Sequence, residues 1–111
     1  MGETARLEYL SSKSDVDSLL QEAMAIVFKH STKCSVSTHA HEEVVKFLDT
    51  HPERKIYQVR VIEERSVSDY IEDATGVRHA SPQILVLRSG EVAWMGSHFG
   101  VTSEAIEAHI G

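Results

Sequence analysis

The chain has one cysteine, Cys34, in the stretch FKHSTKCSVSTHAHEEVVKFL, and Ser37 stands three residues after it. A dithiol redox site carries its second cysteine at that distance. Thiol–disulfide exchange runs through attack of a thiolate on a disulfide sulfur and a mixed-disulfide intermediate. A lone attacking cysteine can take a small thiol from a mixed disulfide, and a free thiol must then release it. Ser37 cannot close a disulfide. Its hydroxyl can bond a sulfur one helical turn away or cap backbone groups. Lys29 and Lys33 add cationic side chains to the same stretch, with His30 between them. The competing reading is a small, buried, inert core residue. Position separates the two: Cys34 follows an apolar run and stands at or just before a helix amino end, where unpaired N–H groups favour an anion.

The elements around it set that position. RLEYL alternates loosely and reads as a short edge strand or an arm. SKSDVDSLLQEA reads as a helix, with Ser14 as cap, Asp17 three residues on, and an apolar stripe of Val16, Leu19, Leu20 and Ala23. MAIVFK, residues 24–29, is nearly continuous in apolar character and reads as a strand buried on both faces. A second helix runs from Ser35 or Ser37 to Leu48. Ala40, Val44, Phe47 and Leu48 pack inward, and His41, Glu42 and Lys46 face water. Pro52 stops it. IYQVRVI, residues 56–62, is the next strand. SVSDYIEDATG gives a third helix, capped by Ser66 or Ser68 and ended by Gly76. VRHASPQ is a loop. ILVLRSGEVAWMG is a hairpin turning at Ser89–Gly90. VTSEAIEAHI closes the described order as a short helix. The order is β-α-β-α-β-β-α, with an additional β-α in front. The first two principal strands should be parallel with a right-handed crossover, and the last pair antiparallel. The fold class is α/β: a mixed four- or five-stranded sheet with flanking helices.

Length and charge narrow the functions. At 111 residues the chain suits one domain, 1–111, with residues 1–23 as a strand-helix extension to the core. Net charge is −6, from 17 acidic against 11 basic residues, which repels a polyphosphate backbone and argues against nucleic acid. One cysteine makes no internal disulfide, which points to a reducing cytoplasm. No apolar run approaches the roughly 20 residues of a membrane span.

Seven histidines invite a metal reading. His39 and His41 point about 200° apart on a helix, and Cys34 and His41 are two turns, about 10 Å, apart. Neither spacing makes a closed zinc site, so the histidines read as solvated and no metal is expected. His79 precedes the proline loop and His98 lies in GSHFG. Each reads either as a neighbour of the sulfur or as a local hydrogen-bonding group. GSHFG has neither nucleotide-loop spacing nor a P-loop lysine. Trp94 and Phe99 read as core or local packing. Pro82 reads as the entry to a buried strand, and its isomer is open from the residues alone.

The element order with a cysteine at the first principal helix resembles thioredoxin and glutaredoxin domains. More narrowly, KHSTKCSVST, HASPQILVLRSGEVAW and SHFGVT together resemble the YtxJ family, monothiol bacilliredoxin-like proteins of the thioredoxin superfamily. The resemblance spans nearly the whole chain. It implies a thioredoxin-like fold, with Cys34 as the redox cysteine and Ser37 in the place of the resolving cysteine. Independently of the resemblance, position in the sequence makes Lys29, Lys33 and His79 candidates, with Ser37, for the thiol's environment. Pro82 would be a cis proline facing the thiol, Ser81 would offer backbone hydrogen bonds to a bound thiol compound, and Ser97 and His98 would lie near the tail of a small thiol. The implied reaction is removal of bacillithiol from mixed disulfides on proteins. Free bacillithiol would be cosubstrate, a bacillithiolated protein the partner, and no cofactor tightly bound. A monomer is favoured. Two other readings stay open: an iron–sulfur protein whose cluster is completed by small thiols, for which Ser-Val-Ser replaces the usual Gly-Phe-Ser, and a non-catalytic thioredoxin-like interaction module.

Overall fold

A computed structural model describes residues 7–110. Five strands form one sheet: β1 (Leu7–Tyr9), β2 (Met24–His30), β3 (Ile56–Arg60), β4 (Gln83–Arg88) and β5 (Glu91–Ser97), in the order β1-β3-β2-β4-β5. The helices are α1 (Lys13–Leu19), α2 (Ser35–Thr50), α3 (Arg65–Thr75) and α4 (Ser103–His109). β2 and β3 are parallel, as the intervening helix requires, and β4 is antiparallel to both β2 and β5. Within RLEYL, Leu7–Tyr9 form a parallel edge strand on β3, with Leu7 opposite Ile56, and Arg6 lies outside the described residues.

The two faces of β2 sort the core. Ile26 and Phe28 point to one layer with Ala40, Val44, Phe47 and Leu48 of α2 and Ile106 of α4. Ala25 and Val27 point to the other, with Val16 and Leu19 of α1 and Val67 and Ile71 of α3. The two-residue alternation of a strand makes this division automatic. Fully burying each such side chain contributes about 1.5–3 kcal/mol, so the twin cores are the main stabilising element. The burial of β2 extends past its apolar part: Lys29 and His30 are buried as well.

Several boundaries move from the sequence reading. α1 starts two residues earlier, because Ser12 and Asp15 make the capping box that was expected of Ser14 and Asp17. The Asp15 N–H donates to Ser12 Oγ at 3.1 Å, and the Asp15 carboxylate accepts from the Ser12 N–H at 3.2 Å. Its bonds to Ser11 add to this and hold the Asp15 carboxyl below its usual pKa. β3 ends at Arg60, where the Glu64 N–H turns back to the Arg60 carbonyl at 2.7 Å. That turn lets α3 begin at Arg65, so Ser66 and Ser68 lie inside the helix instead of capping it. Gly76 ends α3 in the left-handed region, φ 75°, where a side chain would be strained. Ser89 and Gly90 both have positive φ, 51° and 83°, the pattern of a type I′ hairpin.

Candidate functional site

β2 runs into the Cys34 loop, and β4 runs away from the same end of the sheet. Lys29 of β2 pairs with Gln83 of β4, so the Ser81–Pro82 loop sits beside the exit of β2. The Ser81–Pro82 peptide bond is cis, as the resemblance implied. β5 returns to this end with Ser97 opposite Gln83, and the His98 N–H donates to the Pro82 carbonyl at 2.9 Å. The backbone therefore brings Cys34, Ser81–Pro82 and Ser97–His98 to one end of the sheet.

Cys34 is the amino cap of α2, with extended backbone at φ −125° and ψ 126°. Its carbonyl accepts from the Thr38 N–H at 3.0 Å and from the Thr38 hydroxyl at 3.2 Å. Its side chain makes no capping hydrogen bond, and the residue is partly exposed. The first-turn amides of α2 are thus left without an intrahelical acceptor beside a reachable sulfur. Lys33, next to it, is exposed.

Ser37 is fully buried, and its partners lie beneath the loop. Its Oγ accepts from the Ser31 N–H at 2.9 Å and bonds His30 Nδ1 at 2.8 Å. Of the two roles its spacing allowed, backbone capping is the one these bonds satisfy. His30 stacks on Phe28, ring centroids 5.4 Å apart, and its ring centre lies 5.0 Å from that of His41. His41 is therefore half-buried against β2 and does not face open water as expected. Burial first, and the His41 charge second, push the His30 imidazole below its usual pKa.

Lys29 lies on the other face of the sheet. It is fully buried, and its Nζ donates to His79 Nδ1 at 3.2 Å. The Ser68 hydroxyl approaches the same nitrogen at 3.3 Å. Burial lowers the pKa of Lys29, opposed by the carboxylates of Glu72 and Asp69. Partial burial and then the Lys29 charge lower that of His79. The structure thus joins Lys29 to His79 and leaves both on the α3 side, whereas Ser37 and α2 occupy the other layer.

Two buried acceptors near the loop, Ser81 Oγ and Gln83 Oε1, have no hydrogen-bond partner among the described residues. Phe99, expected to pack, is 71% exposed, with His39 the nearest ring at 6.3 Å. Trp94 does pack, stacked on His109 at 4.3 Å. Among the described residues no three His, Cys, Asp or Glu side chains gather as a metal site, and no helix is long and apolar enough to cross a membrane. The sequence reading missed His30 as the partner of Ser37 and missed Gln58, buried in β3. No clear signal marked Gln58: it shares its strand face with Ile56, Arg60 and Ile62, a half-polar face that gives no hint of burial.

Comparison with solved structures agrees with this geometry. A structure described as having a thioredoxin fold superposes with a TM-score of 0.90 at 28% identity, covering 98% of this chain and 97% of the other. The oxidised mitochondrial thioredoxin 3 of Saccharomyces cerevisiae gives 0.74 at 14% identity, covering 98% and 97%. Thioredoxin O2 of Arabidopsis thaliana gives 0.73 at 16%, covering 97% and 94%. The last two identities speak for the fold alone. Residues 8–106 match the family described as monothiol bacilliredoxin BrxC. With its one cysteine capping α2 inside a thioredoxin fold, the chain belongs to the monothiol bacilliredoxin family.

Proposed function

We propose that Cys34 removes bacillithiol from mixed disulfides on proteins. The observation that carries this reading is a partly exposed lone cysteine at the amino cap of a 16-residue helix, beside the cis Ser81–Pro82 loop. The Cys34 thiolate attacks the bacillithiol sulfur of the mixed disulfide. The S–S bond to the protein breaks, that protein's sulfur leaves as a thiolate and takes a proton from solvent, and Cys34 carries bacillithiol. No second cysteine stands in the chain to resolve this species. A free bacillithiol thiolate attacks next, at the bacillithiol sulfur on Cys34. Cys34 leaves as thiolate and bacillithiol disulfide is formed. No net electrons are gained across the two exchanges, so another reductant must regenerate bacillithiol from its disulfide.

The surrounding groups have distinct tasks in this reading. The Ser81 and Pro82 backbone and the Ser97–His98 segment line the approach to the sulfur. Lys33 offers an exposed cation beside it. Ser37 holds the loop that carries Cys34, through Ser31 and His30. Lys29 and His79 act from the opposite layer, by supporting the start of β4 rather than by touching the thiol.

Intact-protein mass spectrometry tests the reaction. Wild-type protein mixed with a bacillithiolated substrate should gain one bacillithiol mass, mapped to Cys34, as the substrate loses it. Cys34→Ser should gain none while keeping its fold by circular dichroism. Transfer no faster than to an ordinary exposed cysteine in a small peptide would refute the proposal.

A further inference from the structure

On the α2 side, a cavity of about 460 Å³ opens between α2 and the β1–β3 edge, lined by Tyr9, His30, Thr32, His41, Gln58 and Arg60. This is the size of cavity that takes small molecules. The register accounts for it. Tyr9 pairs with Gln58, and His30 with Arg60, so all four come to the same end of neighbouring strands. β1 is only three residues long, so the sheet is short at this edge.

The lining is built for hydrogen bonding. Gln58 is 3% exposed, and its Oε1 has no partner among the described residues. Leaving a buried acceptor unpaired is costly, so the position suits a ligand that donates. His30 uses Nδ1 on Ser37, which leaves Nε2 for the cavity side of the ring. His41 lies against His30 and adds a second imidazole. Arg60 uses one guanidinium nitrogen on Glu64 at 3.1 Å. A guanidinium has five N–H donors, so it retains several for an anion. Tyr9 is 58% exposed and offers a flat aromatic wall.

Charge limits what fits. Glu64 sits on Arg60, and Glu63 accepts from the Thr32 hydroxyl at 3.2 Å at the rim. Two carboxylates so close would repel a phosphate ester or a tricarboxylate. A single carboxylate can share Arg60, while a hydroxyl donates to Gln58 Oε1. We propose that this cavity binds a small hydroxylated monocarboxylate of the sugar-acid class, with its carboxylate on Arg60 and a hydroxyl on Gln58. The site does not depend on the thiol exchange proposed for Cys34, though Thr32 ties its rim to the same loop.

NMR titration of the full chain with D-gluconate tests it, with acetate and sorbitol as the carboxylate-only and hydroxyl-only probes. Gluconate should shift the Gln58 side-chain amide and the His30 and His41 ring signals saturably, and both partial probes should bind at least about tenfold more weakly, since each forfeits one set of hydrogen bonds. Arg60→Gln should weaken gluconate about tenfold and leave sorbitol unchanged. Gln58→Met, close in shape and free of the buried acceptor, should weaken gluconate and sorbitol alike. If Arg60→Gln loses its fold, His41→Gln takes its place, with weaker gluconate binding expected. Cys34→Ser should bind gluconate as the wild type does. No saturable shift below roughly 10 mM, a level weaker than useful small-ligand affinity, overturns the proposal. So do equal binding of gluconate by Arg60→Gln and loss of binding in Cys34→Ser.

Discussion

Ser37→Ala separates two roles for the residue three places after Cys34. In the structure, Ser37 Oγ takes the Ser31 N–H and bonds His30 Nδ1, all three residues being buried. Alanine removes both bonds and leaves the Ser31 amide without this acceptor. Each lost bond is worth about 0.5–1.5 kcal/mol net, and a stranded buried group costs about 1–3 kcal/mol. His30 can turn part of its ring toward the neighbouring cavity, so its loss falls at the low end. The expected destabilisation is about 2–3 kcal/mol. With a urea slope of about 1–3 kcal/mol per molar for a small domain, the midpoint should fall by roughly 0.7–3 M with no change of slope. Exchange at Cys34, measured by mass under native conditions, should fall only a few-fold, because the hydroxyl's partners are His30 and Ser31. A double cycle with His30→Ala should show coupling between the two sites. Loss of less than about 0.5 kcal/mol, within the range of ordinary surface substitutions, would refute the capping role. A large loss of exchange at full stability would place the hydroxyl on the sulfur instead.

Stability should fall as pH drops below about 6.5, the ordinary histidine value, because burial holds His30 and His79 below it in the folded state. The unfolded chain then binds more protons than the native one, so the stabilisation present above that pH is lost on the way down. Urea midpoints at neutral and mildly acidic pH check this, and His30→Gln should flatten the dependence. Lys29→Met should raise the His79 pKa toward the usual value without reaching it, since burial is the larger cause; proton NMR of the imidazole reads this, and an unmoved pKa would break the Lys29–His79 assignment. Gly96→Ala should cost about 1–3 kcal/mol by overpacking, because a Cβ there would lie 2.8 Å from the Trp94 ring; the Trp94 fluorescence and the thermal midpoint should shift together.

The features legible in the sequence are those carried by local chemistry. The hairpin is one, because Ser89–Gly90 accepts positive φ. The termination of α3 at Gly76 is another. The order of strands and helices follows from apolar spacing alone, and parallel β2 and β3 follow from the helix between them. The capping choice was not legible: Ser12 with Asp15 and Ser14 with Asp17 have the same spacing, and only tertiary packing selects the first. The setting of Ser37 was hidden for a different reason. Its partners His30 and Ser31 are seven and six residues away, across a loop whose path the sequence does not encode locally. Lys29 differs: strand alternation sets it on the face of Ala25 and Val27, and only the tertiary placement of α2 on the other layer separates it from Cys34.

β2 shows how one strand serves both stability and reactivity. From Ala25 to Phe28 it is apolar and feeds both cores; at Lys29 and His30 it turns polar without leaving the interior. Most of the other buried polar groups gather at this same end: Ser31, Ser37, Gln58, Ser68 and Gln83. A buried polar group costs stability unless it is bonded; here Lys29, His30, Ser37 and the Gln83 amide nitrogen find partners while Gln58 Oε1 and Gln83 Oε1 do not, so this end depends on a few directional bonds where the far end is held by packing. Such bonds fix geometry but add little net energy. The loop bearing Cys34 should therefore be positioned well and opened more easily than the apolar end. Hydrogen exchange should be fastest, among the amides of β2 and β4, toward Lys29, His30 and Gln83, and slowest around Val27 and Leu85. Uniform protection along both strands would contradict this division. If it holds, Cys34 can meet a bulky protein disulfide through small openings at one end of the sheet, while the cores beneath it stay closed.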